Sequence, residues 1–214
     1  MENKAFQVHL EKNPLISMKG ISGHFTTSHA HISHYLDLSD MKSNALVARD
    51  VARELATPYL SGTLVETIVC MEKTEVVGAY LAEELVQEGN PVFNNNGFIH
   101  VVSPIHSPNG NLIFPGSTVD WISDRNIVLL VATISSGQTM KKALNCLSFY
   151  GGKTVGISTL FLASHEKQDR VVHALFSSDN DLPEYQAWEP GECDMCKAGH
   201  KLDALVSSEG YTEI

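Results

Sequence analysis

The apolar run Ile127-Val128-Leu129-Leu130-Val131-Ala132-Thr133-Ile134 breaks off at Ser135-Ser136-Gly137-Gln138-Thr139, after which Met140, Ala143, Leu144 and Leu147 recur at helical spacing. The run is long enough for a buried strand, the small residues turn the chain, and the period that follows is that of an amphipathic helix. Strand, loop and helix in that order form the unit of a parallel sheet, because the helix carries the chain back to start the next parallel strand. The loop has a second property. N–H groups at a helix N-terminus are unpaired within the helix and lie at the positive end of its dipole. Ser135, Ser136, Gly137, Gln138 and Thr139 are therefore candidates for a phosphate cradle, with hydroxyls as further donors. The plainer alternative is a serine-rich N-cap.

The same alternation runs through the chain. Met41 to Tyr59 reads as a helix with Leu46, Val47, Val51, Ala52 and Leu55 on its apolar stripe and Pro58 as its stop. Leu64 to Cys70 reads as a strand, Met71 to Glu75 as a loop, and Val76 to Glu88 as a helix ended by Gly89. Phe98 to Val102 is the next strand, Ser103 to Ser117 a long loop or hairpin, and Thr154 to Phe161 a further buried strand after the Gly151-Gly152 turn. The expected fold class is α/β: a central, mainly parallel sheet flanked by helices, with ligand loops at the carboxyl ends of its strands.

Composition narrows the function classes. With 214 residues, 43% hydrophobic and 19% charged, the chain suits one globular domain over 1–214. No run of about 18 apolar residues occurs and the N-terminus lacks a secretory apolar segment, so a soluble, cytoplasmic protein without a membrane partner is expected. A formal charge of −10 argues against a nucleic-acid surface while leaving room for a local phosphate pocket. Four cysteines are too few for a disulfide scaffold and are expected to be reduced.

The segment ending in Ser135-Ser136-Gly137-Gln138-Thr139 resembles the phosphoribosyl-pyrophosphate loop of the type I phosphoribosyltransferases. That loop is a hydrophobic strand, an acidic pair, one or two hydrophobic residues, then Ser/Thr-Ser/Thr-Gly-Gly-Ser/Thr; here Gln138 stands for the second glycine. Two more segments are similar to the orotate phosphoribosyltransferase branch. Ser28-His29-Ala30-His31-Ile32-Ser33-His34-Tyr35-Leu36-Asp37-Leu38 resembles its Ser-Gly-x-x-Ser-x-x-Tyr-x-Asp-Leu segment, with His29 for the glycine and Ile32 for the second serine. Trp188 to Gly199, with Cys193 and Cys196, resembles the Trp…Cys-Pro-Leu-Cys-x-x-Gly tail of some members.

The resemblance implies a small hood built from about residues 1–40 and 180–214, a phosphoribosyl site above Ser135 to Thr139, and a base pocket involving His29 and His31. It places Lys73 and Thr74 on a pyrophosphate loop, Met71-Glu72-Lys73-Thr74-Glu75, although a loop lysine between glutamates is equally a solvated charge. It further implies a homodimer, and a glycosyltransferase of pyrimidine metabolism that joins 5-phosphoribosyl pyrophosphate to a nucleobase, with magnesium carried by the pyrophosphate substrate.

The departures bear on mechanism. The acidic pair, which in the family holds the ribose hydroxyls, falls on Val131 and Ala132. The stretch Ser103 to Gly110 has no Arg or Lys where the family carries a cationic loop, and Ala163-Ser164-His165-Glu166-Lys167 lacks the expected arginine. Losing two charge-assisted hydrogen bonds of about 1.5–3 kcal/mol each weakens binding roughly 10² to 10⁴-fold without compensation. Orotate turnover is thus expected to be absent or very weak. Two functions stay open: an orotate phosphoribosyltransferase-like enzyme of altered chemistry, and a non-catalytic module that binds a nucleotide or sugar phosphate as a sensor or regulator.

Metal chemistry has two candidate sources. His24, His29, His31 and His34 with Asp37 and Asp40 are dense enough to hold a transition metal or supply an acid/base, or they line a pocket. Cys193-x-x-Cys196 followed by His200 invites zinc, but a structural site needs four ligands and no second paired motif lies near it in sequence. No metal site and no zinc are expected.

Overall fold

The computed structural model describes residues 5–88, 98–163, 170–207 and 210–214. Five strands form an all-parallel sheet: β4 (Thr67–Cys70), β5 (His100–Val102), β8 (Asn126–Ile134), β9 (Lys153–Leu162) and β10 (His173–Ser177), in the spatial order β10-β9-β8-β4-β5. Side chains alternate along β8 because successive Cβ atoms point to opposite faces. Val128, Leu130 and Ala132 join one core with Ala48, Val51, Leu55, Val77 and Leu81. Ile127, Leu129 and Val131 join the other with Met140, Ala143 and Leu147. The expected α/β architecture, a parallel sheet covered by helices on both faces, is what forms.

The element bounds differ locally for identifiable reasons. The helix expected over 41–59 is two helices, α1 (Ser39–Ser43) and α2 (Ala45–Ala56), closed by a 3-10 turn at Thr57–Tyr59. Asn44 divides them: its backbone is extended, and its side chain accepts the N–H of Leu46 as the N-cap of α2. Leu46 is consequently 66% exposed and the buried stripe is Ala48, Val51, Ala52, Leu55 and Ala56. Helix α3 spans Glu75–Gln87; its expected end at Gly89 lies outside the described residues. The stretch from Ser103 contains a hairpin, β6 (Ile105–His106) with β7 (Leu112–Ile113), and then α4 (Gly116–Val119). Helix α5 spans Gln138–Phe149. Of the region aligned with the missing arginine, Ala163 is described and residues 164–167 are not.

A second, 6-stranded sheet is assembled from both ends of the chain. Its N-terminal strands are β1 (Ala5–Leu10), β2 (Asn13–Thr26) and β3 (His31–Asp37), all antiparallel neighbours. Its C-terminal strands are β11 (Ala187–Trp188), β12 (Ala204–Ser207) and β13 (Gly210–Glu213); β11 lies along β3 and β12 along β2. Short helices α6 (Ser178–Asp181) and α7 (Asp194–Lys197) lie on the C-terminal segment. Ile16, Met18 and Phe25 from this hood share one buried cluster with Leu130 and Leu160 of the parallel sheet. That shared core seats the hood on the sheet.

Candidate ligand cleft and metal-ligand cluster

Strand order sets where a ligand can enter. From β4 the chain adds β5 on one side, then crosses to add β8, β9 and β10 on the other, so the order switches between β4 and β8. In an open parallel sheet the loops leaving such a pair diverge and leave a crevice at the carboxyl ends. Here those loops are Met71–Thr74 and Ser135–Gly137, and a cleft opens between the sheet and the hood. Ser135, Ser136, Gly137, Gln138 and Thr139 all line it. Gly137, at φ 70°, turns the chain into α5, a left-handed conformation that a Cβ penalises. Among the described residues no side chain caps α5, so no side-chain acceptor takes up the first-turn N–H groups of a helix whose start lines the cleft.

The opposing loop supplies a carboxylate that the sequence reading did not find. Glu72 and Lys73 are both left-handed, at φ 56° and 64°, and this double reversal swings Glu72 across to β8. Its carboxylate accepts the backbone N–H of Thr133 at 3.1 Å, and the side chain lines the cleft. Burial pushes the Glu72 carboxyl above its ordinary range; the N–H groups of Thr133 and Ala132 and the Lys42 ammonium pull it back down. Lys42 Nζ lies 3.4 Å from the Glu72 carbonyl oxygen. Of the two positions aligned with the family's acidic pair, Ala132 lines the cleft whereas Val131 is fully buried in the core beneath α5. No acidic pair stands there.

The remaining anticipated residues fall in different places. The Thr74 hydroxyl is buried and donates to the Met71 carbonyl at 2.9 Å, which fixes the loop, while Lys73 is exposed and does not line the cleft. His29 lines the cleft, 3.4 Å from Lys142 Nζ. Under the hood the wall is Ile32, His34, Leu36, Tyr185 and Val206. The His34 ring stacks on Tyr185 with centroids 6.2 Å apart and meets the edge of Phe6 at 5.5 Å. Burial lowers the His34 pKa, opposed by Glu184, and so favours the neutral ring.

His31 points elsewhere, and its position overturns the expectation of no zinc. His24, His31, Cys193 and Cys196 bring four ligand atoms within 4.8 Å of one another. A motif search along the sequence misses them because Cys193 and His24 are 169 residues apart and only the pairing of the two termini joins them. A β-bulge contributes as well. The register of β2 against β3 shifts between Ser22 and Phe25, which turns His24 toward the C-terminal segment. The legible signal was a pair of histidines flanking the β2–β3 turn together with a Cys-x-x-Cys tail in the same hood.

Known structures place the architecture. The chain superposes on the UMP synthase of Leishmania donovani with a TM-score of 0.54 at 17% identity, over 74% of this chain and 33% of that one. On the adenine phosphoribosyltransferase of Thermoanaerobacter pseudethanolicus the TM-score is 0.50 at 13% identity, over 82% of this chain and 96% of that one. A phosphoribosyltransferase from Corynebacterium diphtheriae gives 0.50 at 14%, over 75% and 91%. The fold is type I phosphoribosyltransferase-like. No family model and no curated protein matches the chain.

Within this phosphoribosyltransferase-like fold the cleft keeps the loop over the sheet but carries little positive charge. Lys42 is the only Lys or Arg lining it among the described residues. No helix among those residues is long and apolar enough to cross a membrane.

Proposed function

We infer that the cleft binds a ligand carrying a 5-phosphoribosyl group, a nucleotide or a sugar phosphate, and that the protein acts as a sensor or regulator rather than as an orotate transferase. The observation that carries this reading is that the uncapped start of α5 and the Glu72 carboxylate, drawn across to Thr133, line one cleft at the sheet's switch point. In this reading the phosphate lies on Ser135 to Thr139, where amide donors and the helix dipole favour an anion. The ribose hydroxyls face Glu72 and Thr133. The base lies under the hood against His34 and Tyr185, a flat and largely apolar wall.

Charge selects among phosphoribosyl ligands. A monophosphate carries roughly −1.5 to −2 at neutral pH. One lysine and one helix start suit that charge better than the additional pyrophosphate of phosphoribosyl pyrophosphate. A second reading, transfer of phosphoribose to a base by altered chemistry, is favoured by Glu72 alone, because it sets a carboxylate in the cleft where the family's pair is missing. In either reading we propose a cytoplasmic homodimer, by likeness to orotate-type members.

Calorimetric titration with ribose 5-phosphate, UMP, AMP, phosphoribosyl pyrophosphate with magnesium, and inorganic phosphate separates these readings. The sensor reading expects a nucleoside monophosphate or ribose 5-phosphate to bind at least about tenfold more tightly than phosphate, a difference of about 1.4 kcal/mol. It also expects no pyrophosphate release with orotate. Rapid pyrophosphate-dependent turnover would establish the transferase, and absence of binding by every ligand would remove both.

A further inference from the structure

We propose that His24, His31, Cys193 and Cys196 hold a structural zinc ion that clips the C-terminal segment to the hood. Four of the six distances between the ligand atoms are close to the edges of a tetrahedral site, and all six are within 4.8 Å. His24 Nε2 lies 3.2 Å from His31 Nδ1, 3.3 Å from Cys193 Sγ and 3.6 Å from Cys196 Sγ, and Cys196 Sγ lies 3.3 Å from His31 Nδ1. Zinc bonds of about 2.0–2.1 Å to nitrogen and about 2.3 Å to sulfur give tetrahedron edges of roughly 3.3–3.8 Å.

Hydrogen bonding alone does not account for this packing. His24 Nδ1 lies 3.0 Å from the His200 carbonyl oxygen and 3.2 Å from that of Lys201, so Nδ1 carries the proton and donates it. That leaves Nε2 one lone pair, which cannot satisfy the three heteroatoms crowded around it. A cation at their centre accepts a lone pair from each. The carbonyl partners are also the usual outer contacts of a metal-bound imidazole, since they fix its tautomer and orientation. The backbone reinforces the placement: the His24 N–H donates to the Asp203 carboxylate at 2.8 Å, and the Asp203 N–H donates to the His24 carbonyl at 2.7 Å.

The segment itself requires a staple. Residues 189–203 leave the hood after β11 and return at β12, and each of these strands is tied to the N-terminal strands by only two residue pairs. Between them Cys193 is the one buried residue. Such an excursion has no apolar core of its own, and small segments of this kind are held by a metal or a disulfide. All four positions are filled by protein, which marks a structural rather than a catalytic zinc. Ile32, next to His31 in β3, and Val206, in the strand to which the clipped segment returns, line the cleft, so metal loss loosens its hood wall. That coupling rests on the ligand-binding reading above; the metal site does not.

The full chain, produced with zinc in the medium and purified without chelators, is assayed by native mass spectrometry and elemental analysis. One zinc per chain is expected. Cobalt exchanged into the wild-type chain should give the intense visible bands of a tetrahedral ion and the charge-transfer band of thiolate ligation. Cys196→Ser, at an exposed position, should lose most of that charge-transfer intensity. Chelation should strip amide-exchange protection from residues 189–203 while leaving β8 and β9 protected. Metal-free wild-type chain with no tetrahedral cobalt spectrum, or a Cys193–Cys196 disulfide in its place, would overturn the proposal. A zinc-loaded chain that binds no phosphoribosyl ligand would instead fail only the functional reading.

Discussion

The Glu72 carboxylate accepts the backbone N–H of Thr133 at 3.1 Å, so a residue leaving β4 reaches across the switch point to the strand carrying the phosphate-type loop. The contact brings a negative charge to the floor of the cleft although the aligned strand positions are apolar. It holds the two loops at a fixed separation and depends on consecutive left-handed residues, Glu72 and Lys73, whose backbone conformation is costly outside glycine.

The raised pKa of Glu72 has a definite pH signature. A carboxyl raised by folding contributes stability below its ordinary value, near pH 4.5, and loses it as pH climbs through the folded-state value. Glu72→Gln removes this titration and keeps an oxygen for Thr133. In urea unfolding, the variant should gain stability relative to the wild type as pH rises from below 4.5 through the raised folded-state value. A difference that moves the other way with pH would show that the hydrogen bonds and Lys42 outweigh burial.

Gly137→Val tests the cradle. A β-branched residue at φ 70° costs about 1–2 kcal/mol and displaces the first-turn amides of α5. Thermal unfolding should fall accordingly, and affinity for ribose 5-phosphate should drop at least about tenfold in a variant shown to be folded. Unchanged affinity would place the phosphate elsewhere.

Ala132→Asp and Val131→Glu should behave oppositely. Ala132 is itself buried but lines the cleft beside Glu72, so a new carboxylate there costs some stability and makes a like-charged pair that a divalent cation relieves, and magnesium should strengthen binding of phosphoribosyl pyrophosphate. Val131 is fully buried, so Val131→Glu should destabilise by several kcal/mol without creating a site. Circular dichroism melts and magnesium-dependent calorimetry on each variant check both halves.

Tyr59 and Ser158 supply a stability control outside the cleft. Their hydroxyls lie 2.8 Å apart in the core, and burial pushes the Tyr59 phenol up to about 12. Tyr59→Phe should cost about 1–3 kcal/mol by leaving the Ser158 hydroxyl without this partner. It should leave ligand affinity unchanged, which calorimetry on the folded variant reads directly.

Much of the parallel sheet was legible because its signals are local. The apolar run of β8, the turn at Gly137 and the helical period after it lie within one short stretch, and the structure follows them. The split between α1 and α2 was also local, since Asn44 is a good N-cap, but the longer amphipathic stripe masked it. Glu72 was not legible: its role depends on two left-handed residues and on contact with Thr133, 61 residues away. The His24, His31, Cys193 and Cys196 cluster was hidden for the same reason, since a β-bulge and the pairing of opposite ends of the chain bring its members together.

A crystal structure of the protein grown with saturating ribose 5-phosphate or a nucleoside 5′-monophosphate is the most direct measurement. The phosphate should lie within hydrogen-bond distance of the backbone N–H groups of residues 136–139, with ribose hydroxyls toward Glu72 and the base, where present, against His34 and Tyr185. An empty cleft at saturating ligand, or a phosphate bound away from Ser135 to Thr139, would contradict the account.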